Sequence, residues 1–229
     1  MNQLALIVPT RNRPGNALDL IHALDDRLSS CTNLFLVVDH DDVELEKYSE
    51  IADTHAATLC TVTATRRGMA APLNHVASML KFDYTYFAFM GDDHRPRTLN
   101  WDVHLMEALD ELGTGIAYGN DLHQGAGLPT AVAMTGDIVQ ALDGMVPPNM
   151  IHLYLDNFWL KLGQDLGAIT YLPDTVIEHC HPIFGTADWD EGYKEVNAPE
   201  IYSADAQAFR TYIASPEYAQ LLETLRGNK

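Results

Sequence analysis

Short apolar runs alternate with helical segments four times in the first half of the chain, and this alternation limits the possible folds more than any other feature of the sequence. The apolar runs span residues 4–8, 34–38, 58–63 and 84–90. After the first run, apolar residues from Leu18 to Leu28 recur at helical spacing. Strands that alternate with helices predict an α/β fold, with a mostly parallel sheet flanked by helices. Ligands bind such folds beyond the carboxyl ends of the strands.

Length and composition narrow the class of protein. A chain of 229 residues has the size of a single domain. Its net charge of −18 opposes nonspecific binding to nucleic acid or anionic membranes, yet leaves a small nucleotide possible. Three scattered cysteines and the lack of a recognisable signal or membrane-spanning segment predict a cytoplasmic protein that does not enter a membrane.

Polar and charged residues follow each of the four predicted strands. Because the carboxyl ends of parallel strands meet at one edge of a sheet, we expect these residues to gather at one site. Arginines and backbone N–H groups among them could bind a small anionic ligand. In chain order the residues are Pro9, Thr10, Arg11 and Arg13, then Asp39 and Asp41, then Arg66 and Arg67, and finally Asp92 and Asp93.

Asp92 and Asp93 stand where the fourth apolar run stops. Carboxylate oxygens are the ligands that Mg²⁺ and Mn²⁺ prefer, so one interpretation is a metal site. The other is a turn, which adjacent aspartates and the nearby Pro96 also favour. The pair alone does not decide between them.

Two late histidines bear on that choice. On an extended strand His179 and His181 share one face, and Cys180 points to the other. One imidazole could therefore reach a cation at the strand ends. A structural zinc site made from these three residues is an alternative, although no second Cys/His cluster is visible. Ordinary hydrogen-bonded histidines are the other.

The order of five motifs resembles GT-A fold glycosyltransferases, in particular short members of glycosyltransferase family two from bacteria and bacteriophages. The resemblance covers residues from about 4 to 185. It implies a single GT-A-like catalytic domain over 1–229, with a nucleotide-binding half at 1–98, an acceptor and catalytic half at 99–185 and a helical tail at 186–229. The motifs are 8–14 (VPTRNRP), 39–42 (DHDD), 91–94 (GDDH), 156–159 (DNFW) and 178–182 (EHCHP).

The resemblance also implies a donor site. Pro9, Thr10, Arg11 and Arg13 would hold the nucleotide of a sugar donor, and Asp39 or Asp41 would accept a hydrogen bond from its base or ribose. A carboxylate there favours a UDP-sugar. Two further residues occupy the position where relatives contact ribose and diphosphate, Arg67 and Asn74.

The metal of such an enzyme is Mn²⁺ or Mg²⁺. The resemblance implies that Asp93 binds it directly, that Asp92 contacts ribose or a metal-bound water, and that His181 supplies an imidazole. The family's usual motif is Asp, any residue, Asp. Because this chain has adjacent aspartates instead, the two roles could be exchanged.

Asp156 matches the position of the catalytic acid in inverting relatives. Transfer of a sugar to a hydroxyl needs a base that takes the acceptor proton, and an aspartate can do so. Inversion at the anomeric carbon is therefore expected. The acceptor stays open between a glycan, a protein and a modified nucleobase, and a bacteriophage enzyme would work in the host cytoplasm.

Two other functions fit part of the sequence. A sugar nucleotidyltransferase shares the fold class and the metal, but its glycine-rich loop after the first strand has no counterpart in Val8 to Asn12. A noncatalytic nucleotide or sugar binder would have lost Asp93 or Asp156, and both are present.

Overall fold

The computed structural model describes residues 3–62, 68–185, 194 and 198–227. Its strands form one eight-stranded sheet in the order β3-β2-β1-β4-β7-β6-β8-β5. The strands are β1 (Leu4–Thr10), β2 (Thr32–Asp39), β3 (Ala57–Val62), β4 (Tyr86–Phe89), β5 (His94–Pro96), β6 (Ile116–Asn120), β7 (Val132–Thr135) and β8 (Ile169–His179). The α/β fold and the mostly parallel sheet that the sequence predicts are confirmed.

Helices cover both faces of the sheet. They are α1 (Pro14–Leu24), α2 (Leu45–Thr54), α3 (Ala70–Leu80), α4 (Trp101–Leu112), α5 (Gly136–Leu142), α6 (Leu155–Leu166), α7 (Pro199–Ile213) and α8 (Pro216–Gly227). Alternate residues of β1 point to opposite faces, as strand geometry requires. Leu4, Leu6 and Val8 pack with α1 and α4, whereas Ala5 and Ile7 pack with α3, α5, α6 and α8.

The first half of the sheet is parallel and the second half is mixed. β1 pairs in parallel with β2 and β4, and β2 pairs in parallel with β3. β7 runs antiparallel to both β4 and β6, an orientation that the sequence does not indicate. β5 pairs antiparallel with β8 and places His94 opposite His179. This pairing brings two distant segments of the chain to the edge where β1, β2 and β4 end.

The two C-terminal helices pack against α6. Tyr218 of α8 donates a hydrogen bond of 2.8 Å to Asp165 near the end of α6, and its side chain is 3% exposed. The helical tail is therefore part of the core. Within the described residues, no helix combines the length and the apolar character needed to cross a membrane. The proposed division at residues 98 and 185 stays a prediction.

Candidate active site

A chain of hydrogen bonds joins β1 to the segment after β4. Thr10 donates to Asp92 Oδ2 at 2.7 Å, and its hydroxyl lies 3.1 Å from the hydroxyl of Tyr48. Tyr48 in turn accepts the backbone N–H of Arg13 at 2.7 Å, while Arg13 Nη1 lies 3.1 Å from Asp92 Oδ1. Both oxygens of Asp92 are thus held, and the loop after β1 is fixed against it. Thr10 and Arg13, which follow the first predicted strand, thus meet Asp92, which follows the fourth.

Asp92 is a buried carboxyl group, 5% exposed. Burial raises its pKa above the ordinary aspartate value, and the neighbouring charge of Asp93 adds to the increase. The charge of Arg13 and the hydrogen bond that Thr10 donates to Asp92 offset this increase in pKa only in part. The proton affinity of Asp92 therefore depends on Asp93 and on any cation beside it.

Asp93, His94 and His179 form a compact group, the Asp93 cluster, whose potential ligand atoms all lie within 4.8 Å of one another. His179 Nε2 lies 3.4 Å from Asp93 Oδ2, and the rings of the two histidines stack with centroids 4.3 Å apart. Burial alone raises the pKa of Asp93, but the hydrogen bond and the charge of His179 outweigh burial and hold that pKa well below its usual value. Asp93 is therefore an ionised carboxylate.

The donor set of the Asp93 cluster fits a divalent cation. His94 Nδ1 lies 3.3 Å from Asp93 Oδ1 and accepts the backbone N–H of Gly91 at 3.0 Å. A ring nitrogen that accepts a hydrogen bond is unprotonated, so His94 is neutral and faces the carboxylate with a lone pair. Burial lowers the pKa of His94 and supports the same form. Two acceptors held this close favour a positive charge between them, as a metal ion would supply.

His181 lies next to the Asp93 cluster. Its ring centroid is 5.2 Å from that of His179, and its Nδ1 accepts the backbone N–H of Ile183 at 3.2 Å. The two histidines are neighbours, as the strand pattern suggests, but the one that the structure places against Asp93 is His179. The role of His181 as a metal ligand stays a prediction. Cys180 uses its backbone N–H to bond Asp93 O at 2.9 Å and is not a member of the cluster.

Arg11 links the ends of β1 and β2. Its Nη1 lies 2.8 Å from Asp39 Oδ2 and 2.7 Å from Asp41 Oδ1. Its hydrogen bond lowers the pKa of Asp41. Asp39 Oδ1 is buried and has no hydrogen-bond partner among the described residues. Pro9 lies just before this group in β1, opposite Val37 of β2.

Asn74 has a structural role that the sequence does not reveal. Its Oδ1 accepts the backbone N–H groups of Met145 and Val146 at 2.8 and 3.1 Å, and its Nδ2 donates to Val146 O at 2.8 Å. This amide fixes the loop before α6, and the nucleotide contact predicted for it would have to compete with these bonds. Arg67, the other predicted contact to ribose and diphosphate, lies outside the described residues.

Asp156 lies in the first turn of α6 and accepts the backbone N–H of Asn157 at 2.8 Å. Burial raises its pKa, and only the backbone bonds and the charge of His179 oppose the increase. Its charge in turn acts on His179. The predicted base therefore lies within electrostatic range of the Asp93 cluster, on a separate element of the fold.

Sequence reasoning missed four residues of this region: Tyr48, His94, His152 and Asp205. Burial lowers the pKa of His152 to about 4, and the charges of Asp93, Arg13 and His181 also act on it. His152 Nδ1 is buried without a hydrogen-bond partner among the described residues. A lone histidine or tyrosine in a loop or helix carries no pattern that separates it from core, whereas His94 could have been found as the third member of the run Asp92-Asp93-His94.

Comparison with protein-family models and with curated proteins gives no match. Comparison with solved structures does: the fold is GT-A, and the structures that resemble the chain are glycosyltransferases. They include the mannosyltransferase PcManGT of Pyrobaculum calidifontis, solved with GDP-Man and Mn²⁺. It has a TM-score of 0.65 and 15% identity over 99% of this chain and 69% of its own.

Two further structures extend the comparison. Residues 1–349 of TarS from S. aureus, solved with UDP, give a TM-score of 0.60 and 14% identity over 99% of this chain and 79% of that one. Glucosyl-3-phosphoglycerate synthase of Mycobacterium tuberculosis was solved with Mn²⁺, UDP and glucosyl-3-phosphoglycerate. It gives a TM-score of 0.61 and 12% identity over 89% of this chain and 78% of its own. Likeness at such low identity establishes a shared fold.

Proposed function

We propose that the chain is a metal-dependent glycosyltransferase that moves a sugar from a nucleoside-diphosphate sugar to an acceptor hydroxyl. The observation that carries the proposal is the Asp93 cluster, a buried carboxylate with two imidazoles at the carboxyl edge of a GT-A sheet. The predicted nucleotide residues Thr10, Arg11 and Arg13 lie at the same edge. The structural neighbours solved with Mn²⁺ and nucleotides support it.

The Asp93 cluster would hold Mn²⁺ or Mg²⁺, with Asp93 as the carboxylate ligand and His179 as the first imidazole. His181 stays a second candidate. The cation would offset the negative charge that grows on the diphosphate leaving group. Arg13, which contacts Asp92, adds a fixed positive charge beside the place where that diphosphate would lie.

The donor base is assigned to the carboxylate of Asp39, whose other oxygen is held by Arg11. The unpartnered Oδ1 of Asp39 is an acceptor for an N–H group. Uracil presents one at N3 and guanine at N1, whereas cytosine has no hydrogen at N3. We favour a UDP-sugar. Asp92 is assigned to ribose or to a metal-bound water, and Arg67 to the diphosphate.

Asp156 is assigned as the base that takes the proton of the acceptor hydroxyl. Its raised pKa makes it a stronger base than an ordinary exposed aspartate. Because it lies on α6, whereas the Asp93 cluster lies on β5, on β8 and in the turn before β5, base and leaving group approach the donor sugar from different elements. Attack opposite the leaving group inverts the anomeric carbon. Three cysteines without disulfides fit work in a reducing cytoplasm.

Calorimetric titration of UDP, GDP, TDP and CDP tests the proposal, first with Mn²⁺ and then with EDTA. We expect UDP to bind best and CDP, whose base has no ring N–H, to bind more weakly, and we expect loss of binding with EDTA or in Asp93→Ala. The matched control is Asp53→Ala, an exposed aspartate on α2, which should bind like the wild type. A wild-type protein that binds none of the four nucleotides contradicts the proposal.

Turnover is the second test. The nucleoside diphosphate sugar with the selected base, given with Mn²⁺, should release its nucleoside diphosphate slowly to water and faster when the acceptor is supplied. Selective binding without release over many hours would instead favour a noncatalytic nucleotide binder.

A further inference from the structure

The C-terminal helix α7 places a fully buried carboxylate, Asp205, beneath the loop that precedes α6. Asp205 Oδ1 accepts the backbone N–H of Ile151 at 2.7 Å. Its Oδ2 accepts those of His152 and Leu153 at 2.9 and 2.7 Å. Three successive amides of one loop are therefore held by a single side chain from another element.

This arrangement is specific to a carboxylate. A buried charge is costly unless it is hydrogen-bonded, and three N–H donors converge on Asp205. The neutral amide of an asparagine has only one acceptor oxygen and would turn its NH₂ group toward one of the loop N–H groups. The conformation of residues 151–153 thus depends on Asp205.

The loop leads directly into the site. His152, at its centre, responds to the charges of Asp93, Arg13 and His181. Three residues further on, Leu155 starts α6, which carries Asp156 in its first turn. The carbonyl of Ile151 also accepts the backbone N–H of Ala70 at 3.0 Å, so the loop is tied to the start of α3 as well.

The described part of the C-terminal helices also contacts α6 elsewhere. At its start the N-cap residue Tyr154 packs against Tyr202 and Phe209 of α7, with ring centroids 5.2 and 5.9 Å apart. Phe158 packs edge-on against Tyr212 and Tyr218, with ring centroids 5.8 and 6.4 Å apart. Tyr218 donates to Asp165 at 2.8 Å near the end of α6. These contacts hold α6 in place, whereas Asp205 holds the loop that precedes α6. The conformation of this loop sets the orientation of the first turn of α6.

We propose that Asp205 is a positioning residue, which aims His152 and Asp156 at the Asp93 cluster by fixing the amides of Ile151, His152 and Leu153. The inference rests on the proposed function, since it is for transfer that Asp156 must face the donor. It assigns the C-terminal helices a part in the reaction beyond their part in the core.

Asp205→Asn tests the inference, with the nucleotide sugar selected by titration and Mn²⁺ as substrate. We expect kcat for release of the nucleoside diphosphate to fall at least about 10-fold, while the Kd for the free nucleoside diphosphate stays within about 2-fold. The acidic limb of the pH profile of kcat should also move, because Asp156 would leave its present surroundings. Exchange of the amide hydrogens of residues 151–153 should become faster.

Tyr218→Phe is the matched control, because it breaks another hydrogen bond made by the C-terminal helices, from α8 to the far end of α6. It should lower Tm but leave kcat and the pH profile unchanged. Wild-type kcat in Asp205→Asn, or an equal loss of kcat in both variants, overturns the inference. If Asp205→Asn does not fold, Asp205→Glu keeps the buried charge but displaces it by one methylene, and the same comparison applies.

The two proposals fail in different ways. A wild-type protein that neither binds nor turns over any nucleotide sugar removes the proposed function, and this inference falls with it. A wild-type protein that is active, with Asp205 variants that match it in kcat and pH profile, removes this inference alone.

Discussion

Thr10 and Asp92 are 82 residues apart in the chain, and the hydroxyl of Thr10 donates a 2.7 Å hydrogen bond to Asp92 Oδ2. Both side chains are buried, at 7% and 5% exposure. The bond fixes the loop after β1 to the acidic motif after β4. The two segments that the sequence assigns to nucleotide and metal are therefore joined directly by buried side chains.

Thr10→Val should destabilise the protein by about 1 to 3 kcal/mol, because Asp92 and Tyr48 would each lose a buried hydrogen-bond partner. Urea denaturation with EDTA present measures the free energy of unfolding. Thr54→Val is the control, since Thr54 is exposed and bonds only the carbonyl of Glu50 in its own helix; it should change stability by less than about 0.5 kcal/mol. Equal effects of the two changes would refute the argument.

His179→Ala should weaken Mn²⁺ binding more than His181→Ala does. His179 Nε2 is 3.4 Å from Asp93 Oδ2, whereas His181 Nδ1 accepts the backbone N–H of Ile183 at 3.2 Å. Loss of an imidazole ligand or of its support typically costs 10- to 100-fold in metal affinity. Electron paramagnetic resonance of free Mn²⁺ gives the affinity of each variant. The reverse order of the two would identify His181 as the ligand.

Asp156→Asn should lower kcat by about 100- to 10,000-fold, as expected when a general base is lost. The Kd of the nucleoside diphosphate should not change, because Asp156 is assigned to the acceptor side. Release of nucleoside diphosphate under saturating donor measures the effect. Asp165→Asn, at the other end of the same helix, provides the comparison and should retain wild-type kcat; a loss there of similar size would point to disruption of α6 instead.

His152 makes stability depend on pH. Burial lowers its pKa to about 4 in the folded protein, whereas in the unfolded chain it is near 6.5. Between these values the unfolded state binds more protons, so stability decreases as pH falls below 6.5. From pH 7 to pH 5, wild type should lose about 2 kcal/mol more than His152→Gln. The free energy of unfolding of both proteins is measured by urea denaturation in EDTA. If it changes equally with pH in wild type and His152→Gln, the imidazole is solvated in the folded protein.

The strands of the first half of the fold could be predicted because β1, β2 and β4 are nearly continuous apolar runs bounded by polar residues, and β3 is rich in residues that favour strands. β1 to β4 follow the predicted order, with ends that differ by a few residues. The antiparallel orientation of β7 and the short β5 could not be predicted. β5 has only three residues and no apolar pattern, and its pairing with β8 depends on contacts between residues far apart in the chain.

The same distinction applies to the candidate site, where some contacts could be predicted from the sequence and others could not. Residues grouped by motif, such as Arg11 with Asp39 and Asp41, are brought together as the strand order implies. Asn74 shows the limit, because its helix was predicted but its bonds to Met145 and Val146 depend on a distant loop. Asp205 is one of 32 acidic residues in the chain. Only the packing of α7 separates it from acids on the surface.

His94 and His179 occupy facing positions in the antiparallel pair of β5 and β8. Main-chain hydrogen bonds, not side-chain packing, therefore set the distance between these two positions. Exchange of either imidazole for a thiolate or a carboxylate would leave the backbone spacing intact. Substitutions at these two positions could therefore change the metal preference of the site without a change in the backbone.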